Sequence, residues 1–176
     1  YTFGDGVAPP STDDESARAT IEDFWQDPDN QASLFSYSVQ QEMSNKLQWA
    51  GELFWIIFRG TDGTITLGEL DPLLVTQIVP EDRNPRRKAW YLVEIPGDSP
   101  SSTKKLAYRD WSYMDRPSRP MKGREKGLSS APTGYEAQEQ YIYHLPVNQM
   151  GLRGISELWT IRDYIRDSKK CAEVLA

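Results

Sequence analysis

The 176-residue chain has 38% hydrophobic and 26% charged residues and a net charge of −6, the profile of one globular domain with a real core. Its longest apolar run, LFWIIF at 53–58, is of strand length and far short of the roughly 18 residues that a membrane-crossing helix needs. A single cysteine, Cys171, and a single histidine, His144, exclude an intrachain disulfide and a zinc site built from the usual His and Cys ligands.

Residues 1–12 read as a flexible lead-in, without the basic and apolar pattern of a signal peptide. The start at Tyr1 suggests a fragment of a larger protein or a processed product. In the stretch STDDESARATIEDFWQDP, a Thr12–Glu15 capping box and early acidic residues predict a helix over about 13–26. Asp27-Pro28 ends it, and its face is expected to lay Phe24 and Trp25 on the domain.

From residue 33 the apolar period shifts from about 3.6 to 2. SLFSYSVQQEM and KLQWAGELFWIIFRG read as the first two strands, followed by GTITLGEL, LLVTQIVP, KAWYLVEIP, KLAYRDWSYM and EAQEQYIYHLP. About seven short strands without intervening helical patterns predict a mainly β fold, an antiparallel sandwich or barrel. Residues 115–134, with three prolines, three glycines and five basic side chains, form a long basic loop that is either disordered or functional. The segment from Ile155 to about 173 predicts a C-terminal helix with Ser156 as N-cap and Ile155, Leu158, Ile161 and Ile165 on one face.

Motifs that would announce chemistry fail on inspection. FRGTDGTITLGEL imitates the second half of a calcium loop, yet the first and third ligand positions fall on Phe58 and Gly60, which offer no side-chain oxygen. Asp62-Gly63 is better read as a type I′ hairpin turn. Gly-x-Ser-x-Gly, phosphate-loop and dinucleotide patterns are missing. A mechanism using His144 would need a nucleophile such as Ser36, Ser112 or Cys171 brought to it by folding, with no local signature for any of them. Glu52, Glu69, Glu94 and Asp110 could serve glycoside hydrolysis only if two converge, with Trp49, Trp55, Trp90 or Trp111 as sugar platforms.

Charge is segregated along the chain. Residues 1–80 hold three basic against thirteen acidic side chains, whereas residues 81–126 hold twelve against seven. Arg83, Arg86, Arg87, Lys104, Lys105, Arg116, Arg119, Lys122 and Arg124 would make an anion-binding rim if the hairpin ends lie together. Trp111 and Tyr113 beside them could stack bases or sugars.

The leading expectation is a non-enzymatic recognition or attachment domain without a cofactor or metal, such as a surface projection of a virus capsid. It would bind a protein or glycan receptor and pair as a homodimer through its acidic and basic segments. Two alternatives stand beside it: a small-ligand barrel or hydrolase using strand carboxylates, and a module for RNA or another polyanion. Without disulfides or glycosylation sequons, the setting is either cytoplasmic or a virion surface.

Overall fold

The structure, a computed structural model, describes residues 11–82, 84–97, 102–114, 131–159, 161–162, 164 and 166–167. The acidic N-terminal stretch produces helix α1, Glu15–Gln26, but by a different cap from the expected box. The Asp14 carboxylate accepts from the amides of Ser16 and Ala17 at 2.9 and 3.1 Å, while Thr12 accepts from the Asp14 amide. Asp14 stands next to the first helical turn, so its short side chain reaches two unpaired amides where Thr12 would reach one.

Asp27 stops α1 and caps the single turn α2, Pro28–Asn30, by accepting from the amides of Asp29 and Asn30. A π-helical turn follows at Gln31–Phe35, and then helix α3 at Tyr37–Ala50. This region corrects the expected first strand and the first half of the second. Alternation held for only a few residues, whereas Gln40–Gln48 is rich in straight-chain helix formers. Val39, Met43 and Leu47 recur at the four-residue spacing of one helix face and pack on Leu53 of the sheet. Gly51, at φ +78°, ends α3; a Cβ there would collide with the backbone of Ile155.

Among the described residues six strands follow: β1 (Glu52–Arg59), β2 (Ile65–Leu70), β3 (Val75–Glu81), β4 (Asn84–Pro96), β5 (Thr103–Asp110) and β6 (Glu136–Pro146). They form one sheet in the order β2-β1-β6-β5-β4-β3, curled into a half-barrel beside the helices. It is a single sheet with two edges, not a two-layer sandwich or a closed barrel. It is also mixed, since β5 and β6 run parallel and every other pair is antiparallel. The β1–β2 hairpin turns on a three-residue loop in which only Gly63 is left-handed, at φ +91°, and Asp62 keeps a negative φ. The expected type I′ turn is therefore replaced by a type I turn followed by a left-handed glycine.

The curl is visible in side-chain contacts. Phe54 on β1 meets Tyr91 on β4 edge-to-face at 5.8 Å although β6 and β5 lie between their strands. A flat sheet would hold them about 14 Å apart. The inner face holds the largest buried cluster, including Phe54, Tyr91, Val93, Leu106 and Ile142, each contributing roughly 1.5–3 kcal/mol by burial. The outer face is covered by α3 over β1, β2 and β6.

Each sheet edge is protected. Fully buried Asn30 donates to the carbonyl of Ile65 and accepts from the amide of Leu67, both at 2.9 Å, so its side chain imitates a neighbouring strand along β2. On β3, Pro80 and repeated register irregularities interrupt the other edge. No helix among the described residues is long and apolar enough to cross a membrane.

Of the expected C-terminal helix, Trp159, Ile161, Arg162, Tyr164, Arg166 and Asp167 have helical backbone, and residues 168–173 lie outside the described set. Leu158 and Ile161, expected on its apolar face, are exposed. The lead-in through residue 10 and loop residues 115–130 also lie outside the described residues.

Candidate functional site

Between the helices and the outer face of the sheet lies a cavity of about 400 Å³. Its floor is made by alternation: Leu53 and Trp55 of β1 point outward while Phe54 points inward, and Tyr143 and Leu145 of β6 do the same around His144. Its roof is α3, through Gln40, Met43, Ser44 and Leu47.

The side wall depends on the π-helical turn. The Ser36 amide donates to the carbonyl of Gln31, five residues back, and this wider turn places Leu34 and Phe35 against the cavity. Phe35 stacks on Trp25 of α1 at 3.9 Å and meets Phe24 edge-on at 5.8 Å. Trp55 stacks on Tyr143 at 5.7 Å, and Tyr143 in turn meets half-exposed Trp111 at 5.5 Å. An aromatic track therefore leads from the cavity floor to the surface.

Two polar groups in this apolar lining are left without partners. Gln40 is buried and donates through Nε2 to the carbonyl of Phe35, but its Oε1 accepts nothing; the indole Nε1–H of Trp55 also has no acceptor. A buried polar atom without a partner costs about 1–3 kcal/mol, so the pair requires an explanation. None of the lining residues is Asp, Glu, Lys, Arg or His, and the hydroxyl of Ser44 has no base beside it in the lining. Such a lining is suited to apolar contact.

One group of buried titratable side chains lies on the inner face. Glu52 is 2% exposed; its Oε2 accepts from the Gly154 amide at 2.9 Å and faces His144 Nε2 at 3.1 Å, while its Oε1 pairs with Arg153. Lys88 Nζ lies 2.8 Å from His144 Nδ1. An ammonium can only donate, so Nδ1 accepts and the imidazole carries its proton on Nε2, toward Glu52. Burial, reinforced by Lys88 and Arg153 and opposed by Glu52, holds His144 below its ordinary pKa. Burial also lowers Lys88 against the pull of Asp110 and Glu52. Glu52 is held low despite burial, by hydrogen bonds from His144 and Gly154 and by the charge of Arg153. Tyr91 donates to Asp110 at 2.7 Å, and burial together with that carboxylate pushes its phenol far up.

Lys88 joins this group through a bulge. Val79 pairs with Trp90 but Pro80 pairs with Lys88, so Ala89 is an extra residue that turns Lys88 inward. The network ties down the chain after β6: Arg153 also donates to the carbonyl of Val75, and the Val147 amide donates to Gly51.

The basic residues singled out in the sequence are divided by the fold. Arg86 and Arg87 begin β4, whereas Lys104 and Lys105 pair with Ile95 and Glu94 near its end, about 30 Å away along the strand. Arg87 pairs with Glu81 at 3.2 Å and lies over Tyr113, while Lys105 pairs with Glu94 at 3.4 Å and lies over Tyr135. Arg83, Arg116, Arg119, Lys122 and Arg124 lie outside the described residues.

The four strand carboxylates each have a partner and none lines the cavity: Glu69 holds Lys46 at 2.8 Å, and Glu94 accepts from Tyr135 at 2.7 Å. Of the nucleophiles considered for His144, Ser36 precedes α3 and Ser112 offers its amide to Asp110, while Cys171 lies outside the described residues. No family model, curated protein or solved structure matches the chain.

Proposed function

We propose that this domain is a non-enzymatic binding module whose ligand is a small apolar molecule held between α3 and the sheet. The cavity carries the reading, because its volume lies within the roughly 300–1,000 Å³ of small-molecule sites and its walls are aromatic and aliphatic. The π-helical turn supports it, since such turns cost regular hydrogen bonding and are found frequently at functional sites. The reading narrows the sequence expectation of a recognition domain and moves the contact from the basic loops to the helix–sheet seam. It also favours the ligand-binding half of the barrel alternative over the hydrolytic half, because the cavity holds no carboxylate.

The test is titration with the neutral dye phenylnaphthylamine, whose emission rises in apolar surroundings. Saturable enhancement is expected from the native chain and its loss from Leu47→Trp, which fills the roof, with unchanged circular dichroism. Equal enhancement by the filled variant would refute the assignment.

A further inference from the structure

Beyond the cavity reading, and on the other face of the sheet, we propose that Lys88 is a nucleophilic amine that captures small neutral aldehydes as an imine, with His144 as its base and Glu52 as the residue that positions His144. Side chains from three strands stand in line: Glu52 Oε2 on β1 lies 3.1 Å from His144 Nε2 on β6, and His144 Nδ1 lies 2.8 Å from Lys88 Nζ on β4. This is the carboxylate–imidazole–nucleophile order that activates serine and cysteine, with an amine in the last place. The ammonium is aimed at the basic nitrogen of the ring, where a lysine kept for charge pairing would meet a carboxylate oxygen. Phe54 stacks on the His144 ring at 4.2 Å and Tyr91 meets it edge-on at 5.8 Å, while the Gly154 amide and Arg153 fix Glu52, so the line is held rigidly. Glu52 and His144 are buried but Lys88 is only half-buried, which makes the nucleophile the member of the line that solvent reaches.

The Lys88 ammonium first gives a proton to His144 Nδ1, and the imidazolium so formed is stabilised by the Glu52 carboxylate. The free amine then bonds to the carbonyl carbon, and its proton passes to the carbonyl oxygen to give a carbinolamine. His144 returns its proton to that hydroxyl, which leaves as water as the C=N bond forms; the protonated imine carries the single positive charge with which Lys88 began. No oxidant or reductant enters. Burial favours the first step, since it weakens the ammonium. The charged and titratable groups facing Lys88 and His144 are Glu52 on β1, Asp110 on β5, Arg153 after β6 and Tyr91 on β4. An aldehyde of either charge would meet a repulsive neighbour among them, so the substrate is uncharged. It is small because Phe54, Tyr91 and Ile142 already fill the interior.

The experiment treats the full chain at pH 7 with propionaldehyde and cyanoborohydride, which reduces each imine to a stable secondary amine, and follows the labelling of individual lysines by peptide mass spectrometry. Lys104 and Lys105, exposed on β5, are the internal reference. Lys88 should be labelled at least about tenfold faster than either, a tenfold gain in free amine being what one pKa unit confers. Burial alone predicts the opposite order, so a rate at Lys88 equal to or below that of Lys105 would overturn the proposal. His144→Gln and Glu52→Gln should each remove the advantage of Lys88 and leave the rates at Lys104 and Lys105 unchanged; an undiminished rate at Lys88 in His144→Gln would overturn the role of the imidazole. If these variants fail to fold, the pH profile of the native chain decides: labelling of Lys88 should level off at a lower pH than that of Lys105, and coincident profiles would overturn the activated amine.

Discussion

The two faces of the sheet use neighbouring residues of the same strands to opposite ends. Along β1, Glu52 and Phe54 enter a filled interior where the surrounding charges find partners, while Leu53 and Trp55 floor an apolar cavity, and the Trp55 indole N–H and the Gln40 side-chain oxygen above it are buried without partners. Along β6, His144 turns inward between Tyr143 and Leu145, which turn outward. The inner face gathers the buried ionic network, and the outer face carries the apolar cavity under α3. Polar groups are informative in both places, because burial makes a satisfied network stabilising and an unsatisfied atom costly.

The largest expected effect comes from breaking the inner face. Glu52→Ala should cost about 3–5 kcal/mol in urea unfolding, since it leaves Arg153 without its carboxylate and the Gly154 amide without its acceptor. Retention of native stability would show that the network is ornamental and that the two faces do not differ as described. Asn30→Ala should cost about 2–4 kcal/mol by removing two buried hydrogen bonds to β2, and should increase aggregation by opening that edge. Tyr91→Phe should cost about 1–3 kcal/mol, because Asp110 Oδ2 loses its donor.

A pH titration sharpens the same contrast. The folded pKa of His144 lies below the unfolded value near 6.5, so the unfolded chain binds the proton more readily, and stability should fall as pH drops below about 6.5. Glu52, also held low, adds a second loss as pH falls below about 4.5. His144→Gln should flatten the first decline and leave the second, and an unchanged profile would locate the acid sensitivity elsewhere. The smallest effect is expected on the outer face: Gln40→Met should leave stability within about 1 kcal/mol of native, because it deletes an unsatisfied acceptor along with the bond to the Phe35 carbonyl, and the two changes oppose each other. A loss comparable with that of Glu52→Ala would mean that Gln40 belongs to the scaffold.

Strands β2 to β6 were legible because their β-branched and aromatic runs are bounded by turn residues. Helix α3 was not, because Leu34 or Phe35, Tyr37 and Val39 fit two periods at once and the helix formers after them carried the deciding signal. The parallel pairing of β5 with β6 has no local signature, since it depends on where a long connection returns the chain. The cavity was less legible still. Trp25, Phe35, Met43, Trp55 and Tyr143 look in sequence like ordinary core residues, and nothing in their spacing announces the wide turn at Gln31–Phe35 that sets Leu34 and Phe35 in the cavity wall. For the basic residues, closeness along the chain is a poor guide to closeness in space: the antiparallel pairing of β4 with β5 puts Arg86 and Arg87 at one end of the hairpin and Lys104 and Lys105 at the other, while the remaining five lie outside the described residues.

The position of β6 has a consequence for how the molecule comes into being. β1 with β2, and β3 with β4 and β5, are neighbours in sequence and can pair early during synthesis, but β6 must enter between β1 and β5, and Glu52 waits 92 residues for His144. Docking of β6 between β1 and β5 therefore depends on contacts distant in sequence, the kind that form slowly and leave strand edges unpaired longest.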